Sequence, residues 1–143
     1  MKQQRVTIGD EAAMLHFGAA LAAQLAPGDW VAINGPLGAG KTVLCKAIIR
    51  HFGYQGEVAS PSYALVHHYG APDVSVPIVH ADLYRISDSD DLEELGLDDG
   101  RDDCITLVEW AEKSGGYYGD ADYELTIVPE ENGRRTVDMF RRK

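Results

Sequence analysis

Cysteine is scarce in this chain. Its 143 residues hold two, Cys45 and Cys104, far apart and in no C-x-x-C pair. That excludes a disulfide scaffold and a multi-cysteine zinc site, and a reduced, cytoplasmic compartment is the expectation. Basic residues are few as well. Lys and Arg number 13 against 23 Asp and Glu, a net charge of −10. A balance that acidic argues against bulk electrostatic binding to nucleic acid or to an anionic membrane, although a small local basic site stays compatible with it. No apolar run reaches the roughly 18 residues that a transmembrane helix needs. Asparagine occurs only at Asn34 and Asn132, so the Asn-Lys-x-Asp guanine signature of a GTPase switch is missing. There is no internal repeat, low-complexity tract or linker.

The N-terminus loosely imitates a secretory signal, with Lys2 and Arg5 ahead of an apolar stretch from Ala12 to Ala26. Asp10 and Glu11 separate the two parts, and His16 and Gln24 interrupt the second. Met14, Phe17, Leu21 and Leu25 recur at helical spacing, so an amphipathic helix capped by Asp10 and closed by Pro27-Gly28 is the better reading.

What is present is an ordinary globular composition, 45% hydrophobic and 25% charged. The length suits one domain, residues 1–143, with a real core. Strands are expected at Arg5–Ile8, Trp30–Asn34, Ala64–Tyr69, Val76–His80, Cys104–Val108, Tyr123–Val128 and Arg135–Phe140. Helices are expected at Glu11–Ala26, Lys41–Phe52 and Ser87–Leu95. Gly115–Asp122 reads as a loop, Ser60-Pro61-Ser62 as a loop set by Pro61, and Asn132-Gly133 as a hairpin signal. Strands alternating with helices imply an α/β domain, mostly parallel, with a C-terminal antiparallel hairpin.

Charge is unevenly placed. Residues 82–131 carry 17 acidic and 3 basic side chains, a net of −14, and the remaining residues carry a net of +4. Either a solvated acidic face or a docking surface for a basic partner accounts for it.

Gly35-Pro36-Leu37-Gly38-Ala39-Gly40-Lys41-Thr42 matches G-x-x-x-x-G-K-[ST], with an apolar strand before it and a helical pattern after it, as that motif requires. Glycines let backbone N–H groups approach a phosphate, and those donors gather at a helix N-terminus whose dipole favours an anion. Lys41 can reach the β- and γ-phosphates and the Thr42 hydroxyl can bind magnesium. The fold class expected is therefore a P-loop NTPase-like three-layer α/β fold.

Such a site needs a carboxylate at the end of a neighbouring apolar strand. Two qualify, Asp82 after Pro77–Ala81 and Glu109 after Ile105–Val108, and the pattern does not choose between them. His67 and His68 alternate across a strand and cannot chelate together. His80 and His51 have no ligand partner at metal spacing and read as structural. Cys45 reads as packing, and Trp110 as either core or an anchor for a ligand or partner.

An ordered set of motifs gives the chain a family resemblance from about Asp10 to about Val137. Leu37–Thr42, Ser60-Pro61-Ser62-Tyr63, His80-Ala81-Asp82-Leu83-Tyr84-Arg85, Glu94-Leu95-Gly96-Leu97 and Val108-Glu109-Trp110 together resemble the TsaE (YjeE) family. This is the bacterial ATPase family of tRNA threonylcarbamoyladenosine biosynthesis. The resemblance implies a single P-loop ATPase domain that binds ATP through Leu37, Gly38, Ala39, Gly40, Lys41 and Thr42. It implies that Glu109 joins Thr42 as a Mg2+ ligand and that Asp82 acts on water or metal near the γ-phosphate. Ser60 and Ser62 would sense that phosphate, Trp110 would be functionally important, and Glu11 and Arg134 would lie near the base. The implied partners are TsaD and TsaB, with weak hydrolysis by the chain alone and only indirect contact with tRNA. Three positions depart from the family pattern: Ser62 for Thr, Val43 for a second Thr, and Ala111 for Pro. The alternative is a small-molecule kinase, which needs cations to clamp its acceptor. Residues 82–131 offer only Arg85, Arg101 and Lys113.

Overall fold

The computed structural model of the chain describes residues 2–61 and 65–142. Ser62 and the expected strand start at Ala64 lie outside them. The described residues form strands β1 (Lys2–Ile8), β2 (Trp30–Asn34), β3 (Val66–Tyr69), β4 (Ile78–Asp82), β5 (Ile105–Glu109), β6 (Tyr123–Pro129) and β7 (Arg135–Arg141), with helices α1 (Glu11–Ala22), α2 (Lys41–His51) and α3 (Ser89–Leu95). The seven strands make one sheet in the order β1-β7-β6-β2-β5-β4-β3. The four central strands, β6, β2, β5 and β4, run parallel, and β1, β7 and β3 are antiparallel to their neighbours.

Apolar runs explain the centre. A strand covered on both faces needs side chains that are apolar in both directions. On β2, Val31 and Ile33 join a core with Leu21 of α1 and Leu44 and Ile48 of α2. Trp30 and Ala32 face the other way, onto Leu92, Leu97, Tyr118 and Val108. The sheet is thus the middle of three layers, with α1 and α2 on one face and α3 on the other. The two helices of the first layer approach closely at Gly18. A Cβ there would sit 2.5 Å from the Ala47 methyl.

The ends of the elements follow local chemistry. The Asp10 carboxylate accepts the Ala13 N–H at 2.8 Å and caps α1. Asp10→Ala is expected to cost about 1 kcal/mol of stability, read as a lower urea midpoint with an unchanged slope. An unmoved midpoint would mean that water caps the helix equally well. The helix stops at Ala22, four residues short of the expected Ala26. Pro27 steers Ala26 out of the helical region, and the N–H groups of Gln24 and Leu25 turn back to Leu21 and Ala22 in tighter bonds.

β4 lies two residues later than its hydrophobic pattern suggests. Pro77 has no N–H to give to the ladder. Its carbonyl accepts the Ile105 N–H at 2.9 Å, and pairing then runs from Ile78↔Ile105 to Asp82↔Glu109. α3 starts at Ser89, not Ser87, because Asp88 caps it by accepting the Asp91 N–H. The β6–β7 hairpin turns through Asn132 and Gly133, both left-handed. No helix of the described residues is long and apolar enough to cross a membrane.

Candidate active site

β2 ends at Asn34, and the chain turns through Gly35–Gly40 into α2. Glycine is required at the entrance. Gly35 has φ +149°, and a Cβ there would sit 2.7 Å from the Ile127 carbonyl oxygen of β6. Gly40, also left-handed at φ +107°, precedes the first turn of α2. This leaves the loop's backbone and the start of α2 facing a cleft of about 290 Å³. Its walls are Leu37–Val43, Ser60, Asp82, Tyr84, Glu109, Trp110 and Arg135. Leu37 stands on the rim, 76% exposed.

Three parallel strands end at this cleft. Asp82 closes β4 and Glu109 closes β5, side by side in the register, while Ile33 of β2 pairs with Glu109 from the other side. Both carboxylates are buried and hydrogen-bonded. Asp82 accepts the Ser60 hydroxyl at 3.1 Å and the Tyr84 N–H at 2.8 Å. Glu109 accepts the Thr42 hydroxyl at 3.0 Å on Oε1. Thr42 and Glu109 offer hard oxygen donors at the mouth of the loop, the donor type that magnesium takes. This pair fits that ion.

The Lys41 ammonium donates to the carbonyl oxygens of Gly35 at 2.6 Å and Pro36 at 2.8 Å, and lies 4.0 Å from the centroid of the Trp110 ring. Burial pulls its pKa down, opposed by the carboxylates of Glu109, Glu112 and Asp82. Trp110 is held in a left-handed conformation, φ +58°. Its N–H donates to the Ile33 carbonyl, and its indole packs on Tyr84 at 4.8 Å between centroids. Ala111 opens a 3₁₀ turn over Ala111–Ser114 directly after it.

Of the residues expected near a base, Glu11 lines a smaller cleft of about 50 Å³ with Asp10, Met14, Gly40, Val43 and Arg135. Gly40, Val43 and Arg135 border both clefts. Arg134 is exposed and borders neither. The residue that reaches the loop is Arg135, which donates to the Gly38 carbonyl at 3.2 Å. The reason is strand alternation. Arg135 shares the parity of Val137 and Met139, which belong to the core on the α1–α2 face.

His80 is a second residue that the pattern does not single out as part of the site. It lies two positions before Asp82 on β4, hence on the same face. Its Nε2 is 2.6 Å from Glu109 Oε2, and both side chains are buried. Cys45 completes a buried trio with them, all ligand atoms within 4.8 Å of one another. The 2.6 Å contact is a hydrogen-bond length. Burial, with Glu109 and Asp82 adding to it, pushes the Cys45 thiol well above its ordinary pKa, so it stays protonated.

Residues 8–137 match the profile of a family described as "Threonylcarbamoyl adenosine biosynthesis protein TsaE". The chain belongs to the TsaE family. Its relatives there include the tRNA threonylcarbamoyladenosine biosynthesis protein TsaE of Haemophilus influenzae, 40% identical over 126 residues, covering 84% of this chain and 78% of the relative. The TsaE protein of Rickettsia bellii is 36% identical over 113 residues, 78% of this chain and 77% of its own. The solved structure of YdiB from Bacillus subtilis has the same fold, with a TM-score of 0.81 over 96% of this chain and 84% of that one, at 24% identity. Of the three departures from the TsaE pattern, Val43 borders both clefts, Ala111 begins the turn behind Trp110, and Ser62 lies outside the described residues.

Proposed function

We propose that the chain is a Mg2+-dependent ATPase of tRNA threonylcarbamoyladenosine biosynthesis. In this reading it works in the cytoplasm on a TsaD–TsaB complex and meets tRNA only through that complex. One observation carries the enzymatic part: Lys41, Thr42, Asp82 and Glu109, from a phosphate-binding loop and two adjacent strand ends, surround a single cleft.

Each group has a task suited to its setting. Backbone N–H groups from Gly38 to Thr42 receive the phosphate oxygens at the positive end of α2. Lys41 leaves the Gly35 and Pro36 carbonyls and turns to the transferred phosphoryl group, exchanging two neutral acceptors for an anion. Thr42 and Glu109 would hold magnesium, which neutralises charge on the β- and γ-oxygens when bound. Asp82, steadied by the Ser60 hydroxyl and the Tyr84 N–H, orients the attacking water. The cleft is open on the Leu37 side, so hydrolysis by the chain alone is slow and a docked partner excludes solvent.

The kinase alternative calls for cations that clamp an acceptor, and this geometry takes one of them elsewhere. Of the three cations between residues 82 and 131, Arg101 is engaged on the Trp30 ring at 4.2 Å and donates to the Tyr118 carbonyl. It has no place at the cleft. The test is ATP turnover by the purified chain, with and without TsaD and TsaB, in the presence and absence of magnesium. Slow magnesium-dependent turnover that rises on adding both proteins is expected. Equal rates with and without the partners would sink the partner reading, and ADP release driven by a small acceptor would favour a kinase.

A further inference from the structure

We propose that His80 is a positioning residue for Glu109: its ring holds the carboxylate from the buried side, so that the remaining lone pairs face the metal position beside Thr42. The inference rests on the ATPase reading above and assigns a task to a side chain outside the expected site.

The geometry defines the donor. His80 Nε2 lies 2.6 Å from Glu109 Oε2, and Nδ1 is buried with no hydrogen-bond partner among the described residues. Were the proton on Nδ1, that ring would bury an unsatisfied N–H and press the Nε2 lone pair against a carboxylate. The Nε2–H tautomer avoids both, leaving at Nδ1 only a lone pair, the cheaper orphan.

The strand register makes this contact possible. His80 and Asp82 project from the same face of β4, and Asp82 pairs with Glu109 of β5. The His80 ring therefore fills the space beneath the Glu109 carboxylate, away from the cleft. A carboxylate turns easily about its last torsion, which is broad and has no deep wells. The Cys45 thiol also donates to this carboxylate, and two further donors fix its oxygens. His80 takes a position on Oε2, and Thr42 takes one on Oε1. A carboxylate offers about four acceptor positions, so some stay available on the cleft side. Partners of this kind behind a metal-binding carboxylate set its orientation and its basicity.

The two amide substitutions separate this task from simple packing. The amide nitrogen of Gln can occupy the place of Nε2, whereas that of Asn reaches only as far as Nδ1. Both are polar and both are buried at similar cost. Mn2+ serves as the probe, with its free ion counted by electron paramagnetic resonance in the presence of a non-hydrolysable ATP analogue. Analogue binding in EDTA and thermal melting run alongside. His80→Asn is expected to weaken Mn2+ binding about 10- to 100-fold, with analogue binding in EDTA unchanged. His80→Gln keeps most of the Mn2+ affinity. Folded Asn and Gln variants that bind Mn2+ alike, or an Asn variant as tight as wild type, would overturn the proposal. If His80→Asn does not fold, His80→Gln decides, because Mn2+ binding as weak as that of Glu109→Gln would overturn it too. Wild-type protein that binds the analogue but no Mn2+ overturns the metal-dependent reading itself, a different result from a failure of His80 alone.

Discussion

Lys41→Ala is expected to lower ATP turnover by about 100- to 1000-fold, the loss typical of removing one preorganised donor to a developing charge, while the chain still melts cooperatively. The size follows from where the ammonium sits. It sits at the start of α2, within reach of Glu109, Glu112 and Asp82 and against the Trp110 face. Arg135 borders the same cleft and lies against the loop at Gly38 and Gly40, with its guanidinium engaged by the Gly38 carbonyl. Stability responds differently. A lysine whose pKa is depressed in the folded chain destabilises it at every pH below that folded value. The penalty fades as pH rises toward the ordinary value of 10.5. The alanine variant lacks that penalty but also loses the bonds to Gly35 and Pro36 and the contact with Trp110, so at neutral pH it should still melt cooperatively and close to wild type. Single-turnover hydrolysis and thermal melting check both halves. Near-wild-type turnover would remove Lys41 from the chemistry.

Ile33→Ala is expected to cost about 2–5 kcal/mol of folding stability and to lower the melting temperature by roughly 10 °C. Ile33 is fully buried on the central strand. It pairs with Leu125 of β6 on one side and Glu109 of β5 on the other, and its carbonyl receives the Trp110 N–H. The cavity would open directly below the glycine-rich loop, between α2 and the sheet. Urea unfolding measures the loss. A value below about 1 kcal/mol would mean that α2 settles into the gap, since the spread in such costs reflects how far a site can collapse.

Much of this architecture is legible in the residues themselves. The runs Trp30–Asn34 and Ile105–Val108 announce buried strands because a strand covered on both faces must be apolar throughout. The loop announces itself because its glycines answer steric demands, as at Gly35 against Ile127. The less legible parts depend on long-range pairing. The N-terminal half of β1 is polar and exposed, and it is a strand only because β7 pairs with it through Lys2↔Arg141. The displacement of β4 reflects a missing N–H at Pro77. The 3₁₀ turns at Arg101–Asp103 and Ala111–Ser114 carry no hydrophobic period at all. At the site, single positions could be proposed, but their company could not. Nothing local tells that His80 lies against Glu109, which is 29 residues away. Counting parity back from Val137 and Met139 along β7 puts Arg135 on the loop's side of the sheet, which the motifs alone do not indicate.

The placement of the aromatic residues has an optical consequence. The chain has two tryptophans. Trp30 is sealed in the α3-side core beneath Arg101, while Trp110 borders the cleft with the Lys41 ammonium 4.0 Å from its ring. A cation at that distance acts strongly on the indole π system, and under the proposed function nucleotide entry would draw it away. One chromophore would then record the state of the cleft and the other supply a steady reference, so that the protein's own ultraviolet emission would follow loop occupancy without any label.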